Sequence, residues 1–457
     1  MYGNLIHPTK SLKYEKSKLL DGKTILVAIT SSIAAIESPK LMRELIRHGA
    51  DVECIYTPET EKIIGKDALI FGCGNQIYDT ITGNIEHVGL YHHCDAMVIY
   101  PATANIISKI NLRIADNIVS TTATMFFNKK PMVIVPAMHQ NMIDTVWKHV
   151  KQLSNEDKVY ITNSKMEEEK AKVLSVYEIS KYVIDVFKEE AENNENNETT
   201  EKNEYSQKIT NSNDFNKLEK LKTGIGLEDS KIELNPDIAL KSKIKPKKDV
   251  LILGGSTVEF IDKVRVISNL SSGKTAKSLA EAFCKEGHNV KVIMGSGIDM
   301  PYYIETIKTT TADNMLKEAL EYGKNADIII SCAAISDYTP VDEVNGKISS
   351  DLDEKTIKLV KTPKVIYELK KNYPDKIIIG YKAEYDLKKP ELMEKALDRL
   401  YKYGIDVIIA NDLSKHYFGD DYNDVLVIDK YNTNGINLKG SKQEIALKIV
   451  DYISKFL

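Results

Sequence analysis

Two long stretches of this chain alternate short β-branched runs with amphipathic helical segments, and a polar stretch separates them. Such alternation demands a mostly parallel sheet covered on both faces, because parallel strands need helical crossovers. The expected fold class is therefore α/β: two doubly wound, Rossmann-like domains of mostly parallel sheet joined by a disordered linker. Ligands of such sheets bind beyond the carboxyl ends of the strands. The loops that follow the strands are thus where chemistry is sought.

The first stretch runs from about Asp21 to Lys188. Thr24–Thr30, TILVAIT, reads as a buried parallel strand, being apolar and β-branched. The helix that follows, SPKLMRELIRHG, has Ser38 as a cap, Pro39 at its first position and Gly49 as its stop. Leu41, Met42, Leu45 and Ile46 share one face. Further strands are Val52–Tyr56, Ala96–Tyr100 and Met132–Pro136. The second stretch opens with DVLILGG (Asp249–Gly255). Helices are expected over Thr275–Glu286, Asp313–Tyr322 and Pro390–Tyr403, with strands at Ala326–Ala334, Ile377–Ala383 and Asp406–Asp412. Ser441 and Glu444 form a capping box at the start of a last helix. The divisions are 1–188, 189–245 and 246–457. In the middle one, AENNENNETTEKNEYSQKITNSNDFNK has too little apolar surface to offset its ordering entropy, and it reads as a flexible linker.

A formal net charge of −4 gives no general pull toward nucleic acid, so an anionic ligand must be held by local positive groups. The five cysteines are scattered, with no CxxC and no zinc spacing, which suits reduced thiols in a cytoplasmic protein. Apolar runs are strand-sized, and no membrane span is expected. His92-His93-Cys94 does not read as a metal site, since adjacent ligands rarely chelate one ion.

Three strand-end loops stand out in the first stretch. TSSIAAIES brings small residues and the Ser31 and Ser32 hydroxyls to a helix start, where a phosphate can be held; an ordinary tight turn has the same composition. PATAN (Pro101–Asn105) leaves room for a flat ligand. PAMHQNM (Pro136–Met142) rigidly presents a Met-His pair. IEHVGL, ahead of the second of them, contains His87. In the second stretch, GGSTVEFIDKVRVISNLSSGK starts where a strand ends. Gly254 and Gly255 permit close approach to a ligand, and SSGK opens a helix whose free amides favour an anion by roughly 0.3–1 kcal/mol. The spacing is not that of a P-loop.

In this order the first set of loops resembles the flavin-dependent cysteine decarboxylases, phosphopantothenoylcysteine decarboxylases in particular, across nearly the whole first stretch. The resemblance implies FMN held by Ser31, Ser32, Thr57, Ala102 and Thr103, and His87 as the catalytic histidine. It also implies substrate contacts near Asn117 (in RIADN) and at His139 or Asn141. The family's PxMN has His139 where Asn is usual. The flavin would oxidise the cysteinyl carbon so that carbon dioxide can leave, then return the electrons. Bacterial members carry a flap cysteine that reprotonates the product; here VYITNSKMEEEKAKVLSV has none. Its EEKAK stretch is similar to archaeal-type members, and neither Lys165 nor Lys170 is assigned as a donor.

The second stretch resembles the phosphopantothenate–cysteine ligases throughout: ID-x-VR-x-ISN-x-SSG, AAISDY, GKISS, KTPK, GYKAE and AND follow in order. That resemblance implies activation of the phosphopantothenate carboxylate by CTP and Mg2+ as an acyl-cytidylate, then displacement of CMP by cysteine. Asn269, Arg265 and Ala334 would hold phosphopantothenate or the acyl-cytidylate, with Asn269 and Lys347 in catalytic roles. Ala333, Asp337, Lys347, Pro363, Lys364, Val365, Ile366, Tyr381, Arg399 and Lys402 would contact CTP. Metal ligands are not assigned. Ser349 and Ser350 replace two lysines of the family's KIKK, and Lys361 and Lys382 are candidates to replace their charge. Any single lysine of this Lys-rich chain also reads as a solvated surface charge. The expected whole is a bifunctional enzyme of coenzyme A biosynthesis with small-molecule substrates and no nucleic-acid or membrane partner. It would be a homo-oligomer with trimeric flavin domains and dimeric ligase domains. The alternatives are an active ligase with a flavoprotein half of altered chemistry, and a flavoprotein-like regulatory binding protein.

Overall fold

The computed structural model describes residues 7–162, 165–167, 170–172, 174–210, 247–349, 354–417 and 419–456. The first sheet contains β1 (Thr24–Ile29), β2 (Asp51–Tyr56), β3 (Ile77–Tyr78), β4 (Ala96–Ala102), β5 (Met132–Pro136) and β6 (Val159–Ile161). Their order is β3-β2-β1-β4-β5-β6 and every pairing is parallel. The crossovers are α1 (Ser38–Arg47), α2 (Lys66–Cys73), α3 (Glu86–His93), α4 (Ala104–Leu112), α5 (Ile118–Phe126) and α6 (Gln140–Leu153). β1, β4 and β5 are buried almost end to end because helices cover both faces. Leu26, Met97, Ile99, Ile107, Phe126 and Ile134 belong to the core on one face. Strand order reverses between β1 and β4, so the loops leaving these neighbours diverge and open a crevice.

Helix α1 departs from its expected start. Ser38 is its first residue, and the Ser38 hydroxyl donates to the Tyr100 carbonyl at 3.3 Å instead of capping. A 3-10 turn over Ile33–Glu37 leads directly into the helix, so local bonding already serves its first amides. Gly49, at φ +101°, ends α1 as expected.

A hairpin of β7 (Lys165–Glu167) and β8 (Lys170–Lys172) precedes α7 (Val176–Thr210). α7 covers residues 189–210, the first part of the stretch expected as an irregular linker; residues 211–245 lie outside the described residues. Val176, Ile179, Val183 and Val186 are buried. A helix nucleated on such a face extends without a new nucleus, and Glu and Lys are good helix formers.

The second region contains β9 (Asp249–Gly254), β10 (Val258–Phe260), β11 (Val266–Ser268), β12 (Asn289–Met294), β13 (Glu305–Lys308) and β14 (Ile328–Ser331). β15 (Tyr338–Pro340), β16 (Leu359–Lys361), β17 (Ile377–Glu384), β18 (Val407–Asp412), β19 (Tyr422–Asp429) and β20 (Ile436–Ser441) follow. Its helices are α8 (Lys274–Lys285), α9 (Ala312–Gly323), α10 (Val365–Asn372), α11 (Lys389–Tyr403) and α12 (Lys442–Ile453). The main sheet has the order β13-β12-β9-β14-β17-β18-β19-β20, parallel except at β19 and β20. β10–β11 and β15–β16 are separate antiparallel hairpins. Ser441 caps α12 in a reciprocal box with Glu444, as the sequence predicts. Order again reverses beside the first strand, between β9 and β14, and this places the second crevice.

The glycines that end β9 serve the fold rather than a ligand. A Cβ on Gly254 would lie 2.3 Å from the Ala276 Cβ, and one on Gly255 2.5 Å from the Ser296 carbonyl oxygen. What approaches closely is the protein's own helix and loop.

Both sheets belong to one compact unit. Between them, the Lys18 amide donates to the Cys284 carbonyl at 3.1 Å. The Tyr302 hydroxyl donates to buried Glu44 at 2.7 Å and lies 2.7 Å from His48 Nε2.

Candidate active sites

The crevice at the end of β1 and β4 is a cleft of about 680 Å3. Thr30, Ser31, Thr57, Thr103, Asn105, Lys109, Asp116 and Asn117 are among its lining residues. Its walls are tied together by Thr30, whose hydroxyl donates to the Pro101 carbonyl at 2.7 Å and accepts from the Thr103 amide at 3.3 Å. Thr103 in turn caps α4, accepting from the Ile106 amide at 3.4 Å. Asn117 caps α5 in a box with Ser120. Beside it Asp116 pairs with Lys109 at 2.7 Å, and that hydrogen bond holds the carboxyl below its ordinary range. Hydroxyls, helix starts and Lys109, together with the carboxylates of Glu59, Asp79 and Asp116, therefore surround a space wide enough for a flat ring system with a phosphate.

Of the residues singled out from sequence, Ser31, Thr57, Thr103 and Asn117 line this cleft together. Ser32 and Ala102 do not line the cleft. Ser32 sits ahead of the 3-10 turn without a side-chain cap bond, and Ala102 is fully buried at the end of β4. His139 and Asn141 are also outside it: His139 is the N-cap of α6, its Nδ1 accepting from the Asn141 amide at 3.3 Å. His87, near the start of α3, lies outside the cleft of the single chain. Its Nδ1 is buried and has no hydrogen-bond partner among the described residues. Thr30 and Lys109 were missed from sequence, Thr30 because a strand-end threonine is indistinguishable from a β-former.

The second crevice, of about 660 Å3, gathers motifs that are far apart in the chain. Asn269, Ala333, Ala334, Asp337, Pro363, Lys364, Val365, Ile366, Tyr381 and Arg399 all line it. Asn269 donates to the Ile335 carbonyl at 3.0 Å, which fixes its amide at the cleft wall. Lys364 pairs with Asp337, the one carboxylate lining the cleft among the described residues. Burial pushes the Tyr381 phenol well up, so its ring is an apolar face and never an anion near neutrality. Lys274, Lys382, Arg399 and Lys442 add positive charge to this acidic protein's cleft. The N-cap of α8 is Gly273 at φ +75°, and the Gly273 and Lys274 amides donate to the Ser271 and Ser272 hydroxyls at 3.4 Å each, so the start of the helix lies at the cleft with serine hydroxyls on its first amides.

Arg265, Lys347 and Lys402 do not line this cleft. Arg265 is tied to buried Asp262 at 2.6 Å and to the Ile348 carbonyl at 3.1 Å. Asp262 also accepts from the Ile348 amide at 3.0 Å. That amide bond, despite partial desolvation and with help from Val264 and Arg265, holds the carboxyl far below its usual range. Lys347, next to Ile348, is exposed on a loop stitched to the β10–β11 hairpin, and Lys402 is exposed on α11. Lys274 and Lys442 were not assigned from sequence. Among the described residues no group of three or more His, Cys, Asp and Glu side chains is arranged to hold a metal ion. No helix is long and apolar enough to cross a membrane among the described residues.

Residues 13–188 match the flavoprotein family, and residues 246–457 match the DNA/pantothenate metabolism flavoprotein C-terminal domain. The coenzyme A biosynthesis bifunctional protein CoaBC of Methanocaldococcus jannaschii is 53% identical over 457 residues, covering 100% of both chains. The protein of the same name from Thermococcus kodakarensis is 32% identical over 467 residues, covering 99% of this chain and 100% of that one. A solved structure, the DNA/pantothenate metabolism flavoprotein from Streptococcus pneumoniae, is 28% identical with a TM-score of 0.42, covering 46% of this chain and 100% of that one.

Proposed function

The chain belongs to the family of coenzyme A biosynthesis bifunctional proteins, and from that premise we propose how its halves divide the work. It is a bifunctional enzyme, a phosphopantothenate–cysteine ligase and a phosphopantothenoylcysteine decarboxylase. The ligase is residues 246–457 and uses CTP; the decarboxylase is residues 1–188 and uses FMN. The observation that carries the reading is the second cleft, which collects Asn269, Ala333, Ala334, Asp337, Pro363–Ile366, Tyr381 and Arg399 at one crevice.

Both ligase steps are displacements, so positioning and charge neutralisation suffice for rate. The phosphopantothenate carboxylate attacks the α-phosphorus of CTP and pyrophosphate leaves; the cysteine amine then attacks the acyl carbon and CMP leaves. Asn269 orients the carboxylate, Tyr381 offers a face to the base, and Lys364 and Arg399 face the phosphates. Mg2+ commonly binds through one or two carboxylates and the substrate's phosphates, and Asp337, which pairs with Lys364 in the free protein, would hold it there together with bound CTP.

In the first cleft, Ser31, Thr57 and Thr103 hold FMN, with the Thr30 tie fixing the two loops. FMN supplies the electron sink that a cysteinyl carboxylate lacks. His87 moves a proton or orients the substrate carboxylate, and its unpartnered Nδ1 supports that role. Its place outside the single-chain cleft, with exposed Ile33, Ile36 and Trp147, fits flavin domains that assemble as a trimer; the ligase domains are proposed to dimerise, and the protein to be cytoplasmic. Turnover of phosphopantothenate and cysteine with CTP or ATP, products identified by mass, tests the whole. Release of cysteine-derived carbon dioxide must follow ligation. Ligation without it would assign the first half another chemistry.

A further inference from the structure

The lysines that sequence reasoning aimed at the triphosphate, Lys347 and Lys402, lie outside the ligase cleft, and Ser349 and Ser350 stand where the family has two more. Two other lysines occupy the cleft without an assigned role. Lys274 is the first residue of α8 and Lys442 the first of α12, two helices that pack together. Both therefore stand at helix N-termini, whose dipoles favour an anion. Lys274 donates to the Asp421 carboxylate and to the Gly419 carbonyl, each at 2.6 Å. Lys442 donates to the Asp420 carbonyl, and its own amide to the Asp421 carbonyl at 2.8 Å. One turn, 419–421, thus occupies two ammonium groups, largely through neutral carbonyl oxygens that phosphate oxygens outcompete. Burial first, and the neighbouring Lys274 charge second, push the Lys442 ammonium below its ordinary value. A half-buried cation facing another cation gains most from a polyanion.

We propose that Lys442, with Lys274 beside it, receives the terminal phosphates of the nucleotide and neutralises the departing pyrophosphate. The proposal rests on the ligase cleft being the nucleotide site and adds to it the residues that replace the missing lysines. The pair acts at the β,γ end, so it discriminates CTP from CMP rather than recognising the base.

Calorimetric titration of the full-length protein with CTP, CMP and inorganic pyrophosphate tests it, on wild type, Lys442→Gln and Lys442→Arg. Loss of one charge-assisted contact weakens CTP and pyrophosphate about tenfold in Lys442→Gln and leaves CMP within about twofold. Lys442→Arg restores most of the affinity, which separates charge from folding. Equal loss for CTP and CMP, or no loss for either, overturns the proposal. If wild type binds pyrophosphate through Lys442 but no CTP, the anion site stands and the nucleotide reading falls. If it binds neither, both fall.

Discussion

The backbone amide of Thr103 donates to the hydroxyl of Thr30 at 3.3 Å, across the gap between the loops leaving β1 and β4. The same hydroxyl donates to the Pro101 carbonyl at 2.7 Å, so one buried side chain holds both lips of the flavin cleft. Thr30→Val keeps the shape and strands a buried carbonyl, at a cost of about 1–3 kcal/mol. We expect the purified variant to retain less flavin than wild type, while Thr30→Ser retains it. Equal flavin occupancy in wild type and Thr30→Val, by absorbance after gel filtration, would show the tie to be idle.

His87 lies on α3 of the first region and does not line the second cleft. His87→Asn is therefore expected to abolish carbon dioxide release and to leave CTP-dependent ligation within about twofold, because loss of a positioned acid–base group typically costs 10²–10⁴-fold and touches only its own step. Parallel assays of both half-reactions on one preparation decide it. If both activities fall together with unchanged thermal unfolding, the division of labour between the halves is wrong.

How much of this was legible beforehand depends on what each residue's place rests on. Asp337 lies beyond β14 and Tyr381 in the carboxyl half of β17, neighbouring parallel strands whose ends converge on one edge by topology alone, so their meeting could be read from alternation of β and α. Pro363–Ile366 follow β16 of a separate antiparallel hairpin, and only their resemblance to a family motif pointed to the site. Lys347 could not be placed that way. Its loop is held by Asp262 accepting from the Ile348 amide, a contact across distant segments that no periodicity reveals. Ser38 has the sequence of a cap, yet a preceding 3-10 turn removes the need and Tyr100 takes its hydroxyl. Lys442 starts a helix that the capping box announced, but only packing of α12 on α8 shows that this start faces the cleft.

Tyr381 lies on β17 with its phenol kept neutral by burial, first, and by Cys332. A neutral, half-buried ring can stack on a base but cannot act as a general base near neutrality. Tyr381→Phe should leave the KM for CTP within about twofold. Tyr381→Ala should raise it by the value of one base–aromatic stack, on the order of 1–3 kcal/mol or about tenfold and more. Steady-state ligation against CTP concentration measures both. A large effect of the Phe variant would assign the hydroxyl a role that the ring alone does not have.

Glu44 predicts how the joined halves respond to acid. Burial alone would raise its carboxyl, but hydrogen bonds from His48, Lys16 and Tyr302 outweigh it and lower the value to about 2 from an ordinary 4.5. A carboxyl depressed in the folded state stabilises it above the unfolded value. That contribution, on the order of 3 kcal/mol, is lost as pH falls from about 4.5 to about 2. Tyr302→Phe removes one donor, raises the Glu44 value in the folded protein and shrinks the contribution. Urea unfolding of wild type and variant between pH 6 and pH 2 should show the variant less stable at pH 6 and the two curves converging toward pH 2. A stability difference that stays constant across that range would mean Tyr302 acts through packing alone, with the Glu44 charge uninvolved in joining the halves.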